Sequence, residues 1–104
     1  MWNKPTSRQL AKIPRLYETE GIPAQDRMIH LHFFIGNTHW YIAEYSPENR
    51  LFFGYTILNG DLQCAEWGYI SFDELLALRV GPLEVDRDLL WEPKRFAEIE
   101  RGWR

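Results

Sequence analysis

Residues 28–70 alternate between apolar and polar side chains with a period of two, and this pattern limits the fold more than any other feature of the chain. Such alternation is typical of strands, whose successive side chains point to opposite faces of a sheet. The predicted strands cover residues 28–35, 38–45, 51–57 and 62–70. The turns between them hold Gly36-Asn37, Ser46-Pro47-Glu48-Asn49 and Asn59-Gly60. Because these residues favour short connections, the pattern predicts a four-stranded antiparallel meander.

Helix signals flank the meander on both sides. Thr6 and Gln9 have the spacing of a capping box, which predicts a helix over residues 7–12. A second box begins at Ser71, and we expect its helix to end at Gly81-Pro82.

The C-terminal part of the chain completes the predicted architecture. Residues 85–91 are compatible with a short fifth strand, and Pro93 predicts the start of a terminal helix that reaches Arg101. The predicted fold is therefore α+β: a four- to five-stranded antiparallel meander with two or three short helices packed on it. A chain of this length fits one domain, spanning residues 1–104.

Charge and composition narrow the classes of function. A net charge of −3 and a pI near 5.6 do not favour a broad nucleic-acid footprint, which needs an excess of Lys and Arg. The single cysteine, Cys64, has no partner for an internal disulfide, so an oxidising compartment is not implied. No apolar run reaches the ~20 residues that a membrane-spanning helix requires. The sequence therefore predicts a cytoplasmic protein without membrane association.

One predicted face of the sheet is almost entirely apolar. A two-residue loop at Gly36-Asn37 places Phe33 opposite Trp40, and the same face continues through the other strands. Its predicted members are Ile29, Leu31, Phe33, Ile35, Trp40, Ile42, Leu51, Phe53, Tyr55, Ile57, Leu62 and Cys64. We expect the helices to cover this face, and we expect Leu16 and Tyr17 to pack against the same core.

Two carboxylates interrupt the apolar face, Glu44 and Glu66, and both fall toward the same end of the predicted sheet. A buried carboxylate is costly unless it is paired, and Arg87, followed by Asp88, is a suitable partner. These four residues define the predicted polar cluster. It is a functional site, whose carboxylates hold Mg²⁺ for chemistry on nucleic acid, or an ion pair that serves the structure alone at the rim of the core, or a pair of carboxylates that simply reach water.

The opposite predicted face is aromatic, in a chain whose aromatic content is 15%. The residues predicted to form this aromatic face are Phe34, Tyr41, Tyr45, Phe52, Trp67 and Tyr69. Exposed aromatic surfaces are enriched where proteins bind one another, which favours a seat for a protein partner or for a second copy of the chain. A terminal helix could instead cover Trp67, Phe52 and Tyr45 as a second small core. Stacking of unpaired bases is a third interpretation, which the charge does not support.

All three histidines fall on the aromatic face. His30 and His32 are two residues apart on one strand, and His39 is a diagonal neighbour of His32 on the next. His-x-His with a third histidine matches the ligand set of catalytic zinc sites, so these three are the candidate metal ligands. The alternative is that they are ordinary polar members of an amphipathic surface.

Recognisable catalytic motifs are missing from the sequence. It contains no glycine-rich phosphate loop, no G-x-S-x-G and no Cys-x-x-Cys. Cys64 is predicted to point into the core, away from the histidines, where its role is packing. We predict no cofactor.

Short motifs along the chain follow a recognisable order. They are Ile13-Pro14-Arg15-Leu16-Tyr17-Glu18-Thr19, Phe33-Phe34, Trp40-Tyr41 with Glu44, Phe52-Phe53-Gly54-Tyr55, Glu66 with Gly68-Tyr69, Phe72 with Glu74-Leu75, and Arg87-Asp88 before Glu92-Pro93. This order resembles the bacterial family Domain of Unknown Function 2958 over residues 10–99. The resemblance implies a short protein of plasmids, integrative elements or phage-related regions, with no established activity. It draws attention to Glu44, Glu66, Arg87 and Asp88 rather than to the histidines.

These observations lead to one functional hypothesis with two alternatives. We expect a non-enzymatic accessory protein of a mobile genetic element that binds a protein partner, or itself, through the aromatic face. The first alternative is a nucleic-acid-processing or metal-dependent enzyme whose site is the polar cluster. The second is a single-stranded nucleic-acid binder that uses the aromatic face.

Overall fold

The computed structural model describes residues 1–103 and confirms the predicted α+β class. Within these residues, three short helices accompany a five-stranded antiparallel sheet and two smaller two-stranded sheets. The helices are α1 (Ser7–Ala11), α2 (Phe72–Ala77) and α3 (Phe96–Arg101). The strands are β1 (Met28–Ile29), β2 (Leu31–Ile35), β3 (Thr38–Ser46), β4 (Leu51–Ile57), β5 (Glu66–Ser71), β6 (Arg79–Val80), β7 (Leu83–Glu84), β8 (Asp86–Arg87) and β9 (Lys94–Arg95). The large sheet has the order β5-β4-β3-β2-β8, so four consecutive strands form the predicted meander and β8 is the fifth strand.

The hairpin between β2 and β3 has the predicted register. The paired residues are Leu31 with Ile42, Phe33 with Trp40, and Ile35 with Thr38. Gly36 has a φ of +55°, in the left-handed region that favours glycine, and this conformation closes the two-residue loop. The strand predicted over residues 28–35 is divided at His30, because β1 leaves the large sheet to pair with β9.

A β-bulge in β3 changes the faces of the sheet. Ile42 pairs with Gly54 but Glu44 pairs with Phe53, so Ala43 is an extra residue. One extra residue shifts a strand by half its period, and the side chains of β4 therefore lie on the faces opposite to those predicted. The first face carries Leu31, Phe33, Ile35, Trp40, Ile42, Tyr45, Phe52, Glu66 and Ile70. The second face carries His32, Phe34, His39, Tyr41, Ala43, Glu44, Phe53, Tyr55, Ile57, Trp67 and Tyr69.

The first face is covered by α1 and α2. Its core is centred on Phe33, Phe52 and Phe72, which are 0%, 0% and 1% exposed. A fully buried phenylalanine stabilises a fold by about 1.5–3 kcal/mol relative to an exposed one. Tyr45 lies in the same core, in ring contact with Phe52 at 4.6 Å between centroids. Tyr45 and Phe52 are thus on the face opposite to the one predicted.

The second face is covered by α3 and by the segment that precedes it. Phe96 and Ile99 of α3 pack with Tyr41, and Trp67 lies against the same cluster. The ring of Trp67 is 4.8 Å from that of Phe96. A terminal helix therefore covers this face, as one of the three interpretations predicts, but the residues beneath it are Tyr41 and Trp67 rather than Tyr45 and Phe52.

Two of the three predicted helix starts are present, whereas the start of the terminal helix and the end of the second helix differ from the prediction. Thr6 caps α1 with a reciprocal capping box, and the side chain of Ser71 caps α2. The helix α2 ends earlier than predicted, because Gly81-Pro82 forms the turn between β6 and β7. The helix α3 begins at Phe96 rather than at Pro93, since β9 occupies the residues between them.

The strands β5 and β8 are shorter than predicted. Residues 58–65 form a loop, in which Asp61 Oδ1 accepts hydrogen bonds from two backbone amides at 3.0 and 3.3 Å. A short side chain that binds the backbone just after it favours a turn over a strand. Leu62 and Cys64 are consequently exposed and do not join the core. The strand predicted over residues 85–91 is reduced to the two residues of β8.

Candidate functional site

The structure does not bring together the four residues of the predicted polar cluster. Glu66 lies on β5 and Arg87 on β8, which are the two opposite edges of the large sheet. Strands are spaced by about 4.8 Å, so four spacings separate these residues. The bulge places Glu44 on the second face, whereas Glu66 is on the first and exposed. Asp88 is bonded to a histidine on β2 rather than to Arg87.

Glu44 is buried, with 4% of its surface exposed, and its carboxylate has three hydrogen-bond donors. Oε1 accepts from the amide of Tyr17 at 2.9 Å, and Oε2 accepts from the amide of Thr19 at 3.0 Å. The hydroxyl of Thr19 donates a further bond to Oε2. These bonds offset the cost of removing the carboxylate from water. Glu44 therefore fastens the loop of residues 14–20, which we call the Glu44 loop, to β3.

The backbone of the Glu44 loop is shaped to receive an anion. The carbonyl of Pro14 accepts a hydrogen bond from the amide of Tyr45 at 2.8 Å, which starts the loop beside β3. Tyr17 then has a φ of +75°, an uncommon value for a residue other than glycine. A left-handed residue in a turn directs neighbouring amides toward one side, and such concave sets of amides bind anions. Here the anion is a side chain of the same protein.

An open pocket of about 150 Å³ lies beside Glu44, and we call it the tyrosine pocket. It is lined by Tyr17, Glu20, Arg27, Glu44, Phe53 and Tyr69. The hydroxyl oxygens of Tyr17 and Tyr69 are 3.1 Å apart, and the two residues are 62% and 56% exposed. The hydrogen bond with Tyr17, followed by burial, raises the pKa of Tyr69 above its ordinary value. The pocket therefore presents a neutral phenol whose hydroxyl keeps its proton near pH 7.

Arg27 forms one wall of the tyrosine pocket. Its guanidinium carbon lies 5.2 Å from the centroid of Trp67 and 5.6 Å from that of Phe53. Its Nε donates to the carbonyl of Ile22 at 3.2 Å. No carboxylate within residues 1–103 forms an ion pair with this guanidinium. Cation–π contacts with two rings thus hold a positive charge beside the pocket.

Only part of the predicted aromatic face is at the surface. The buried members, which are 6%, 3% and 0% exposed, are Tyr41, Tyr45 and Phe52. Phe34 and Trp67 are half-buried, whereas Tyr69 is exposed. Tyr69 is therefore the member of the predicted face that lines the tyrosine pocket.

Four residues of the tyrosine pocket were not among the predicted site residues: Tyr17, Glu20, Arg27 and Phe53. Tyr17 is exposed, contrary to the prediction that it packs in the core, because its backbone amide and not its ring is directed at Glu44. The bulge moves Phe53 to the second face, and no feature of the sequence marks Arg27. The usable signal is Glu44 itself, since a carboxylate within an apolar strand has to find donors nearby.

Two of the three histidines are joined in a hydrogen-bonded chain. Asp88 Oδ2 is 3.3 Å from His32 Nδ1, and His32 Nε2 is 2.9 Å from His39 Nδ1. The ring of His32 also stacks on Tyr41, with 4.7 Å between centroids and 6° between planes. His30 is not part of this chain. Within residues 1–103 no three His, Cys, Asp or Glu residues are placed to hold a metal ion, so the predicted zinc ligands are not gathered.

The hydrogen bond to Asp88 determines which ring nitrogens of this histidine chain carry a proton. His32 Nδ1 carries the proton that the carboxylate accepts, so its Nε2 accepts the proton of His39 Nδ1. The remaining nitrogen, His39 Nε2, is then unprotonated. It contacts solvent, because no buried side-chain nitrogen of the described chain lacks a partner. Burial lowers the pKa of both His32 and His39, which keeps the two rings neutral near pH 7.

The fold and the pocket define the class of this protein. It is a small α+β protein whose antiparallel sheet is covered on both faces, with an open pocket at one margin. A family model described as "Protein of unknown function (DUF2958)" matches residues 7–98, so the chain belongs to that family and the resemblance is confirmed. Searches of the curated proteins and of the solved structures find no match.

Among the helices of residues 1–103, none has the length and apolar character that a membrane span requires.

Proposed function

We propose that this chain is a cytoplasmic accessory protein of a mobile genetic element and that it binds another protein through the tyrosine pocket. The observation that carries this proposal is the exposure of Tyr17 and Tyr69, which are held together through their hydroxyls at the rim of a concave site. Exposed tyrosines supply a large contact area and a polar tip, and they are enriched among the residues that dominate protein interfaces. The family resemblance supports the assignment to a mobile element.

The size of the tyrosine pocket favours a protein side chain as its occupant. Sites for drug-sized ligands have volumes of about 300–1,000 Å³. The tyrosine pocket, at about 150 Å³, is smaller, and it is open to solvent at the tyrosine rim. A single side chain from a partner surface suits these dimensions, and the surrounding contacts would come from the neighbouring strands and loops.

Binding also agrees better than catalysis with the state of Glu44. Both of its oxygens already accept hydrogen bonds from the Glu44 loop, which leaves the carboxylate a structural role. Single-stranded nucleic acid is a poor ligand for the pocket, because its lining has two carboxylates, Glu20 and Glu44, and one guanidinium, Arg27.

Affinity capture from the native host tests the proposal. The bait is the full chain, compared with a variant that carries Tyr17→Ala and Tyr69→Ala. Removing interface residues of this type costs about 2 kcal/mol or more, so we expect retention of the partner protein to fall at least ~30-fold. Both tyrosines are more than half exposed, so thermal unfolding should show that the variant remains folded.

The matched control carries Leu89→Ala and Leu90→Ala, which removes two side chains that are 61% and 91% exposed and lie outside the pocket. This control should retain the partner as the native chain does. The proposal is wrong if the native chain retains no protein, or if the tyrosine variant retains the same proteins in the same amounts.

A further inference from the structure

The strand β5 forms an open edge of the large sheet. It pairs with β4 along its whole length, from Leu51 opposite Ser71 to Thr56 opposite Glu66, and no other described strand pairs with it. Natural proteins protect edge strands with proline, lysine, bulges or very short strands. Charged side chains protect edges as well, and β5 has one, the exposed Glu66 at its start, but it contains no proline, lysine or bulge. Its outward backbone groups are therefore available to another strand.

Pockets lie on both sides of this edge. On the second face, Tyr69 leads into the tyrosine pocket. On the first face, a groove of about 260 Å³ separates the sheet from α2, and we call it the helix groove. The helix groove is lined by Trp40, Thr56, Tyr69, Ile70, Ser71, Glu74, Leu75 and Leu78. Beside it, a side chain at Gly68 would meet no atom within 4 Å, so the first face is open at the middle of β5.

This arrangement suits the geometry of an added strand. A strand that paired with β5 would lie about 4.8 Å away, and its side chains would point alternately to the two faces of the sheet. One set of alternate side chains would then approach the tyrosine pocket, and the other set would approach the helix groove. Peptides that add to a sheet edge are recognised in this way, by backbone hydrogen bonds together with pockets for alternate side chains.

Charge indicates the chemistry of such a peptide. The tyrosine pocket contains the carboxylates of Glu20 and Glu44 and has two tyrosines at its rim. These groups attract a cationic side chain, and their attraction outweighs the repulsion from the single guanidinium of Arg27. Glu66 on β5 and Glu74 at the helix groove add negative charge. Glu20, Glu66 and Glu74 are exposed and form no ion pair within residues 1–103. In the helix groove the apolar side chains of Ile70, Leu75 and Leu78 lie beside the polar side chains of Thr56, Ser71 and Glu74.

We infer that the partner contributes an extended, basic peptide segment that adds to β5 as a sixth strand. Its basic side chains alternate with apolar ones, so that the basic side chains reach the tyrosine pocket and the apolar side chains reach the helix groove. This inference rests on the proposed function, whose site it places at one side of β5, and it adds the helix groove and the backbone of β5 as further contacts.

Selection of displayed random ten-residue peptides on the full chain tests the inference. We expect the enriched peptides to carry Lys or Arg at every second position and apolar residues between them. Glu20→Lys, in the tyrosine pocket, should reduce their binding at least fivefold, whereas Glu92→Lys, at an exposed glutamate away from β5, should leave it unchanged. Enrichment of acidic or patternless peptides, or no enrichment at all, would overturn the inference.

Backbone methylation supplies a readout specific to strand addition. Two versions of the most enriched peptide would be synthesised, with N-methyl groups on the odd or on the even backbone nitrogens. Only alternate amides of an added strand bind the sheet edge, so one version should bind at least tenfold more weakly and the other nearly as well as the parent. Equal binding of both versions, or a β5-to-β5 dimer in sedimentation experiments, would show that no peptide strand is added.

The proposed binding at the tyrosine pocket and the inferred addition of a strand to β5 can be disproved separately. Loss of partner retention in the tyrosine variant, together with an unfavourable peptide selection, would preserve the tyrosine pocket as a binding site and remove only the added strand. Unchanged retention in the tyrosine variant would instead remove the pocket.

Discussion

Glu44 and the histidine chain are two polar groups on the same face of the sheet, and they are held in opposite ways. The donors to Glu44 are two amides and one hydroxyl, none of which changes its charge with pH. The chain of Asp88, His32 and His39 consists of titratable groups alone. For Glu44, fixed dipoles therefore offset the free-energy cost of burial. For the histidine chain, the same cost is offset only in one protonation state of its members.

The two groups also differ in what they connect. All three donors to Glu44 come from one short loop, so this carboxylate joins the Glu44 loop to the centre of the sheet. The histidine chain joins β3, β2 and the residue after β8, so it joins strands that already pair through their backbones. The difference indicates that Glu44 is essential for the position of a segment, whereas the histidine chain adds a modest, pH-sensitive contribution to an existing structure.

The largest effect is expected from Glu44→Ala. It leaves the amides of Tyr17 and Thr19 and one hydroxyl without an acceptor, and each unsatisfied buried donor costs about 1–3 kcal/mol. We expect the free energy of unfolding in urea to fall by about 3–5 kcal/mol. The control is Glu48→Ala, which removes an exposed ion pair with Arg15 and should change the stability little. Equal losses in the two variants would contradict the role given to Glu44.

An intermediate effect is expected from Gly54→Ala. This substitution strains the part of β3 that lies between the histidine chain and Glu44. A Cβ atom at Gly54 would lie 2.1 Å from the carbonyl oxygen of Tyr41, too close for any side chain. Overpacking of this kind costs about 1–3 kcal/mol, occasionally more, as measured by urea unfolding. Gly68 is its direct partner on β5 and has no atom within 4 Å of the same position, so Gly68→Ala should be nearly neutral. If the two alanine variants unfold alike, the close approach at Gly54 has no energetic importance.

The smallest effect is expected from the titration of the histidine chain. Burial is the main cause that lowers the pKa of His32 and His39 below the unfolded value of 6.5, and it lowers the pKa of His30, outside the histidine chain, in the same direction. The unfolded chain therefore binds these protons first as the pH falls. The stabilisation is complete above about pH 6.5 and declines as the pH drops through the lower folded-state values. Thermal unfolding at pH 7.5 and 5.5 should show this decline, and an unchanged melting temperature would contradict it.

The variant Asp88→Asn sharpens the same comparison. The hydrogen bond and the charge of Asp88 both raise the pKa of His32, in opposition to burial. Removing the carboxylate charge should therefore lower the pKa of His32 further, which an NMR titration of the histidine rings would detect. A higher pKa of His32 in this variant would mean that Asp88 does not accept its proton.

Much of the fold could be predicted because local residues specify it. The Gly36-Asn37 loop alone determines that Phe33 faces Trp40, and Thr6 and Ser71 mark where two helices start. The end of α2 was predicted less well, because Gly81-Pro82 suits both a helix terminus and a hairpin turn.

The candidate site was harder to predict because residues 40–46 are all buried, so the alternation that reveals a strand's faces is hidden in this part of β3. Ala43 carries no sign that it is an extra residue, yet it decides which face receives Glu44 and Phe53. The tyrosine pocket depends on that bulge and on contacts between residues far apart in the sequence. Periodicity alone reports neither of them.

The bulge has a consequence for how related chains should be compared. Deleting Ala43 would remove the bulge and would leave Glu44 and the residues after it on their present faces, opposite the same partners on β4. Substitutions at this position leave the number of residues unchanged, so they preserve the phase of the strand. In an alignment of this family, a chain that lacks the bulge would be one residue shorter in β3, and its gap belongs at Ala43, since a gap at another position would pair core positions with surface positions.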